Sequence, residues 1–425
     1  MFALRWAAAA RSAPARVAAI LVVAALAVLH VGGPPPAARA QSLMEGGAGS
    51  LMEDPQPGPF YHADPATLRA AANGQVINSR DVTMPVFLGY PVTEVAYRST
   101  DTRDRPLLAT ATVIRPHHAR PDGPVLSYQH YLNALGQRCA PTETLVNPTL
   151  ETVQDSAMVF LRERLDRGWT ILIPDHLGPK VAYPGGKLSA RIVLDGMRAV
   201  RDHPRFDSRN SRFGALGYSG GGIATAWAAT MHDDYAPDVN LVGVAQGGVP
   251  TDMTTMARMI GNLPHPAFGL AFAAAVGMAR EYPEDIRLEE KLTPTGWSLL
   301  HQMRGRCTAS LLTFGAFRSV PMVLEGGDLL AEEGLMRAFA ENSVRLSPDV
   351  PGVPVFMWHS GTDPLVPFWD AEDTAKRYCR EGAALTWEPG VAPEHLLGAV
   401  EKLPAAMTWL QQRLDGVPAG RACYV

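Results

Sequence analysis

The chain has 425 residues, of which 47% are hydrophobic and 19% are charged. This composition supplies enough apolar material for a large buried core, in one large domain or in a domain with an insertion. The net charge of −4 and the scattered positions of lysine and arginine argue against a nucleic-acid partner.

The first 40 residues have the pattern of a cleaved secretory signal peptide. Basic residues precede an apolar run over 17–31, and Ala38-Arg39-Ala40 supplies a small-residue cleavage motif. The alternative is a membrane anchor, but about 15 apolar residues are fewer than the roughly 20 that a spanning helix needs. We therefore predict export with cleavage after Ala40, followed by a flexible leader that is rich in glycine and proline over 41–59.

From residue 60 onward, short apolar runs alternate with segments of helical periodicity. Apolar runs that are bounded by Gly, Pro or Asp are typical of strands buried on both faces. The predicted strands are 92–97, 107–114, 124–128, 169–174, 213–217, 241–245, 353–359 and 385–388. The predicted helices are 152–167, 189–202, one that starts at Gly220, one near 371–380 and a last one that ends near Leu414. This alternation predicts an α/β fold with a mostly parallel sheet that helices cover on both faces.

The alternation stops over 251–348, a segment rich in Ala, Met, Leu and Phe that has no clear strands. We predict a helical cap (lid) inserted between two parts of the core, 60–250 and 349–425, and the alternative is a set of additional core helices. Methionine and aromatic side chains suit a pocket for flexible acyl chains, although they could also form the core of the cap itself. The candidates are Met253, Met256, Met259, Phe268, Phe272 and Met278.

The main chemical signal is Gly217-Tyr218-Ser219-Gly220-Gly221, which follows an apolar strand and precedes an Ala-rich helix. A Gly-x-Ser-x-Gly sequence between strand and helix forms a sharp turn that exposes the serine hydroxyl. The start of the helix offers free N–H groups to a developing oxyanion. Ser219 is therefore the predicted nucleophile.

A serine nucleophile needs a base and an orienting carboxylate, and in this type of fold the chain order is Ser, then Asp or Glu, then His. Asp363 follows the apolar strand over 353–359, in the position where such a fold holds catalytic groups. His395 is the only histidine after Asp363, so we predict His395 as the base. His359 is the reserve candidate, and the alternative for Asp363 is a plain turn cap.

The second oxyanion donor is expected in the loop after an early strand. We predict the backbone N–H of Gly220 together with that of His130 or Tyr131, and the alternative for His130 is packing beneath the nucleophile. This chemistry requires no cofactor and no metal.

An even number of cysteines in an exported protein predicts two disulfides. The four cysteines allow three pairings, and the residues alone do not choose among them.

Taken in order, these segments resemble the secretory lipase family over about 60–425. The resemblance rests on Tyr97–Asp101, Gln129-His130 with Cys139-Ala140-Pro141, Pro174–Pro179, Leu194–Ala199, the Ser219 elbow, Gly361-Thr362-Asp363 with Val366-Pro367, Cys379 and His395. It implies a triacylglycerol lipase or carboxylesterase with a helical cap over an acyl tunnel. It also implies the disulfides Cys139–Cys307 and Cys379–Cys423.

Two positions depart from the family pattern. Asp104-Arg105-Pro106 stands where the family often has Gly-x-Pro, and the Tyr131-Leu132-Asn133 segment lacks the aspartate that assists a family oxyanion hole.

The sequence thus predicts a secreted serine ester hydrolase that acts on acyl-ester or lipid substrates. We expect a monomer that makes transient contact with a lipid interface. The alternatives are a serine peptidase on the same fold and a non-catalytic secreted binding protein.

Overall fold

The structure is a computed structural model that describes residues 58–420 and Cys423. The predicted signal peptide, its cleavage site and residues 41–57 of the predicted leader lie outside the described residues.

Within the described residues, nine strands form one mixed sheet in the order β1-β2-β3-β5-β4-β6-β7-β8-β9. The strands are β1 Val76–Val82, β2 Val92–Thr100, β3 Pro106–Ile114, β4 Val125–Gln129, β5 Thr170–Pro174, β6 Phe213–Tyr218, β7 Leu241–Gly247, β8 Val355–Ser360 and β9 Leu385–Gly390. The pairs β1–β2, β2–β3 and β3–β5 are antiparallel, and all later pairs are parallel. The predicted α/β class with a mostly parallel sheet is confirmed.

The α-helices lie on both faces of this sheet and in the segment between β7 and β8. They are α1 Pro65–Ala70, α2 Pro141–Thr144, α3 Arg162–Asp166, α4 Gly186–Asp202, α5 Gly220–Tyr235, α6 Met253–Gly261, α7 Phe268–Glu281, α8 Pro294–Met303, α9 Thr308–Gly315, α10 Val320–Val323, α11 Glu333–Glu341, α12 Phe368–Arg380 and α13 His395–Leu414.

The central strands are buried because helices cover both of their faces. All residues of β4, β5, β6 and β8 are buried, as their largely apolar sequences predict. On one face, α4, α5 and α12 contribute to the larger hydrophobic cluster. On the other face, α13 and the region before β5 contribute to a second cluster that contains Trp169 and Leu410.

Two elements differ from the sequence expectation. β1 was not predicted, because its residues Val76–Val82 are mostly polar and exposed on an edge strand with no apolar alternation. The predicted helix over 152–167 is instead a 3₁₀ helix over Val153–Leu161 followed by the short α3. The segment is therefore helical, as predicted, but its first part forms a 3₁₀ helix of nine residues and not an α-helix.

Residues 251–348, called the inserted segment below, contain α6 to α11 and short 3₁₀ turns. Two isolated bridges, His265 with Arg318 and Leu292 with Leu324, connect its parts. Most of its buried apolar side chains belong to the same cluster as α4 and α5, so this segment packs directly on the core. None of the helices in the described part of the chain is both long and apolar enough to cross a bilayer.

Candidate active site

Ser219 lies at a tight turn between the end of β6 and the start of α5. Its backbone has φ 53° and ψ −120°, a conformation that a residue with a side chain rarely adopts. The turn is closed by two glycines that have no room for a Cβ. A Cβ on Gly217 would lie 2.2 Å from the carbonyl oxygen of Gly221, and one on Gly221 would lie 2.0 Å from that of Gln129. The sequence pattern thus forms the sharp turn that it predicts.

His395 follows the loop after β9 and contacts Ser219, and Asp363 lies in the loop after β8 and contacts His395. Nε2 of His395 lies 2.8 Å from Oγ of Ser219, and Nδ1 of His395 lies 2.6 Å from Oδ2 of Asp363. With its proton on Nδ1, the imidazole donates to Asp363 and accepts from the serine hydroxyl. All three side chains are buried or nearly so. The structure therefore brings together the three residues that the sequence singled out.

Asp363 is held as a carboxylate by donors on both of its oxygens. Oδ1 accepts hydrogen bonds from the backbone N–H groups of Leu365 and Val366, at 2.8 and 3.0 Å. Burial acts to raise the pKa of Asp363, but the hydrogen bond and charge of His395 and these N–H donors lower it below its ordinary value. An ionised Asp363 is the form that orients the imidazole and stabilises its cation.

His395 is fixed by its backbone as well as by its ring. It is the first residue of α13, and the carboxylate of Glu394 caps that helix by accepting from the N–H of Leu397. The hydroxyl of Tyr218 donates to the carbonyl oxygen of His395, and the two rings lie 5.1 Å apart. Burial raises the pKa of Tyr218 well above its ordinary value, so this phenol remains a donor.

A largely apolar pocket opens next to Ser219. Core residues Asn133, Tyr183, Pro184, Pro250, Leu365 and Val366 contribute to its wall. The inserted segment contributes Met253, Met256, Ala257, Ile260, Leu270, Ala271, Ala274, Leu329 and Phe339. The geometry therefore places a reactive hydroxyl at the edge of a pocket that suits hydrocarbon chains.

The predicted acyl-contact residues divide into three groups. Met253 and Met256 line the pocket. Phe268, Phe272 and Met278 are instead buried in the hydrophobic cluster, and Met259 is exposed. Phe268, Phe272 and Met278 thus follow the alternative expectation, a place in the hydrophobic core. Phe268 and Phe272 lie on the side of α7 opposite Leu270, Ala271 and Ala274, which line the pocket, and Met278 lies one turn beyond Ala274. Only Met259, on α6, fits neither expectation.

The loop after β4 carries His130 and Tyr131. The His130 ring is buried, with Nε2 3.0 Å from Oδ1 of Asp155, and the His130 carbonyl oxygen lies 2.8 Å from Nε2 of His176. Neither His130 nor Tyr131 belongs to the pocket wall. The expectation that one of their N–H groups is an oxyanion donor stays a prediction.

Asn133 is a site residue that the sequence reasoning did not select. It lines the pocket together with Ser219, and its Oδ1 is buried with no hydrogen-bond partner among the described residues. A Cβ on Gly220 would lie only 2.5 Å from that oxygen. The sequence marks this stretch by its missing aspartate, but only the folded loop shows that the Asn133 side chain reaches the start of α5.

The structure contains two disulfides, Cys139–Cys307 and Cys379–Cys423, each with its Cα atoms 5.5 Å apart. These are the pairs that the family resemblance implied. The first ties the loop after β4 to the inserted segment, and the second ties α12 to the C-terminal tail. No cluster of three or more His, Cys, Asp or Glu side chains that could hold a metal ion occurs in the described part of the chain.

Comparison with known proteins places this site in a family context. A family model described as secretory lipase matches residues 145–422. Lipase A of Moesziomyces aphidis is 29% identical over 391 residues, which cover 88% of this chain and 83% of the relative. Secreted triacylglycerol lipase LIP7 of Malassezia globosa is 31% identical over 384 residues, or 86% of this chain and 80% of the relative.

Solved structures of other proteins have a similar fold. The closed state of Candida antarctica lipase A superposes with a TM-score of 0.80 at 28% identity, over 86% of this chain and 87% of that one. The esterase LipA of Xanthomonas oryzae, which degrades rice cell walls, shares the fold with a TM-score of 0.61 at 16% identity, over 81% of this chain and 99% of that one.

Proposed function

We propose that this chain, which belongs to the secretory lipase family, is an exported ester hydrolase that cleaves lipid acyl esters through an acyl-enzyme on Ser219. The observation that carries the proposal is the hydrogen-bonded line from Ser219 through His395 to Asp363 beside an apolar pocket. Three Malassezia relatives bear the name triacylglycerol lipase, which supports triacylglycerols as the substrate class.

The proposed reaction has two halves. His395 Nε2 accepts the hydroxyl proton as Ser219 Oγ attacks the ester carbonyl carbon, and the carbonyl oxygen becomes an oxyanion. His395 then donates that proton to the leaving alkoxide oxygen, the bond from carbon to this oxygen breaks, and the alcohol departs. Water attacks the acyl-enzyme as His395 takes its proton, and collapse of the second oxyanion returns the proton to Ser219 and releases the fatty acid. The Asp363 carboxylate stabilises the imidazolium in both halves.

Backbone N–H groups at the start of α5 are well placed to donate hydrogen bonds to the oxyanion. The backbone N–H of Gly220 belongs to the first turn of this helix, where N–H groups lack partners within the helix. The second donor comes from the loop after β4, as predicted for His130 or Tyr131. Asn133 lines the pocket beside Ser219, but it could serve the oxyanion only through its Nδ2 N–H group, because Oδ1, the atom against Gly220, is an acceptor.

We further propose that the inserted segment over 251–348 acts as a cap that supplies the acyl-binding wall. Nine of the pocket-lining residues come from it. The core over 60–250 and 349–425 supplies Ser219, His395 and Asp363, so the chemistry and the acyl recognition are divided between the two parts.

The outer surface of this segment fits transient contact with a lipid interface by a monomeric enzyme. Leu263, Phe317 and Leu330 are exposed by 76%, 66% and 40%, and exposed apolar side chains that lie together mark candidate interaction surfaces. Leu263 and Phe317 lie on two loops that the bridge between His265 and Arg318 brings together. Leu330 lies in the 3₁₀ helix Leu329–Ala331, and the Leu329 side chain of this helix approaches Gly261. Replacing Leu263 and Phe317 by serine should weaken sedimentation with phosphatidylcholine vesicles but leave hydrolysis of a soluble acetate ester unchanged. Unaltered sedimentation would contradict this role.

Export is the proposed location, with the signal peptide cleaved after Ala40. The N-terminal pattern and the relatives that are named secreted lipases support it. N-terminal sequencing of the protein from the culture medium should start at Gln41.

The proposed function is tested with p-nitrophenyl esters of increasing chain length, triolein, a blocked peptide and a fluorophosphonate probe. We expect ester and triolein hydrolysis, no peptide hydrolysis, and a label on Ser219. Ser219→Ala should remove the label and lower turnover by roughly 10⁴-fold or more while the protein stays folded. Faster cleavage of the peptide than of the esters would favour the peptidase alternative, and absence of labelling would favour a binding protein.

A further inference from the structure

We propose that His359, which the reaction above does not use, is a positioning residue that holds Asp363 and the pocket wall at Val366 in one rigid loop. The proposal rests on the proposed function in assigning Asp363 as the triad acid. His359 lies near the end of β8, four residues before Asp363, and its side chain has 0% exposure.

The His359 ring spans the loop that follows β8. Its Nε2 lies 3.0 Å from the carbonyl oxygen of Val366 and 3.5 Å from Oδ2 of Asp363. Both of these atoms are acceptors, so the proton of the neutral ring belongs on Nε2, and this N–H donates to the Val366 carbonyl while facing the carboxylate. The opposite nitrogen, Nδ1, is buried and has no hydrogen-bond partner among the described residues.

The surroundings of His359 keep it neutral. Burial lowers the pKa of His359 below its ordinary value, although Asp363 and the Val366 carbonyl act in the opposite direction. The Phe368 ring packs edge-on against the imidazole, with centroids 6.1 Å apart. A neutral donor here stabilises the carboxylate without competing with His395 for the ion pair.

The loop from Asp363 to Val366 serves the site in two ways. Its N–H groups bind Oδ1 of Asp363, which leaves Oδ2 directed at His395. Its side chains at Leu365 and Val366 form part of the pocket wall. Because His359 holds the Val366 carbonyl at the far end of this loop, one hydrogen bond fixes both the triad acid and the wall.

The experiment compares substitutions at His359 with the same substitutions at His232. His232 is a matched control because its buried Nε2 lies 2.8 Å from the Val239 carbonyl oxygen, on α5 and away from Ser219. In His359→Gln, the side-chain amide can place an N–H near the position of Nε2. In His359→Leu no donor remains, and in His359→Asn the amide is too short to reach Val366.

Two readouts are used, both per folded protein. The first is the rate at which a fluorophosphonate labels Ser219. The second is the low-field proton NMR signal of the hydrogen bond between His395 Nδ1 and Asp363, which requires no substrate. His359→Leu and His359→Asn should slow labelling by roughly tenfold or more and weaken the low-field signal, and His359→Gln should restore both to within about threefold. His232→Leu should lower Tm only.

The outcomes separate the two proposals. Labelling and NMR signal at wild-type levels in folded His359→Asn, or a glutamine variant as impaired as the asparagine variant, would overturn the positioning role. If His359→Leu does not fold, the comparison of Gln with Asn decides the question. A wild-type protein that shows the NMR signal and is labelled but hydrolyses no ester would refute the proposed function and leave the role of His359 intact.

Discussion

The turn at Ser219 concentrates backbone strain at one residue, and the neighbouring glycines make this strained conformation possible. A non-glycine residue at φ 53° is costly, and the surrounding chain must hold it there. Gly217 contributes by letting the backbone of Gly221 approach within a distance that excludes a Cβ. The position of the Ser219 hydroxyl at the pocket is therefore a product of close packing around the turn.

Two glycines of the same strand provide a residue-scale prediction. Gly217→Ala should destabilise the protein and abolish fluorophosphonate labelling, because its Cβ would lie 2.2 Å from a backbone oxygen and 2.3 Å from Oγ1 of Thr225. Gly214→Ala should be tolerated, because its Cβ meets only the Leu410 and Leu414 side chains at 3.4 Å or more. Thermal unfolding and labelling of the two variants test this. Equal behaviour would mean that the turn does not depend on close approach at Gly217.

At this scale, sequence reasoning works where chemistry fixes the residue type and chain order. Ser219, Asp363 and His395 follow from a serine motif, an acid after a strand and the only later histidine, and the structure brings them together. Asn133 and His359 were not selected for the roles discussed above. Asn133 matters because its loop folds against Gly220, and His359 matters because it contacts the Val366 carbonyl oxygen. No local sequence pattern encodes either contact.

The elements show a similar division. Apolar runs predicted the eight strands from β2 to β9, since burial on both faces demands such runs, whereas the polar edge strand β1 gave no such signal. The sequence indicates that α7 is apolar, but it does not indicate which of its residues face the pocket and which face the core. An almost wholly apolar helix has no polar side to orient it, so its rotation is set by tertiary packing.

The two faces of α7 provide an element-scale prediction. Ala274→Phe should fill the pocket and lower kcat/KM for long-chain esters while acetate turnover stays within about threefold. Displacing about three buried methylenes removes roughly 2.4 kcal/mol, or about 50-fold. Phe272→Leu on the buried face is the control and should affect both esters equally per folded protein. If Ala274→Phe depressed acetate and long-chain turnover alike, this face of α7 would not bind the acyl chain.

At the scale of the whole molecule, the two disulfides close loops of very different length. Cys139–Cys307 spans 168 residues and Cys379–Cys423 spans 44. If chain entropy dominates, removing the first should cost about 1 kcal/mol more free energy of unfolding than removing the second. Urea unfolding of the two double alanine variants measures this difference. A larger loss from removing the short link would mean that its local packing outweighs loop entropy.

The whole molecule should also lose stability as the pH rises from about 4.5 to 7. Burial raises the pKa of Glu94 to about 7, against the opposing effect of Arg80, and Glu94 has 0% exposure on β2. Nearby Asp175 is shifted in the same direction, to about 6. Below about pH 4.5, Glu94 is protonated in both the folded and the unfolded chain, so burial of its side chain carries no cost of removing a charge from water and its contribution to the free energy of unfolding is at its highest. Between about 4.5 and 7 the unfolded chain ionises first, so the free energy of unfolding falls by on the order of 3 kcal/mol.

Glu94→Gln isolates this contribution because the amide cannot titrate, yet its oxygen can still accept from Nε of Arg80, which lies 2.6 Å from the Glu94 carboxylate. The variant should show a flatter dependence of the free energy of unfolding on pH between about 4.5 and 7, and should be the more stable protein above pH 7. Glu325→Gln, at an exposed position, should leave the slope unchanged. Urea titrations at several pH values measure both slopes. A wild-type slope in Glu94→Gln would place the origin of the pH dependence elsewhere, with Asp175 the next group to substitute, because it too is buried and carries a raised pKa.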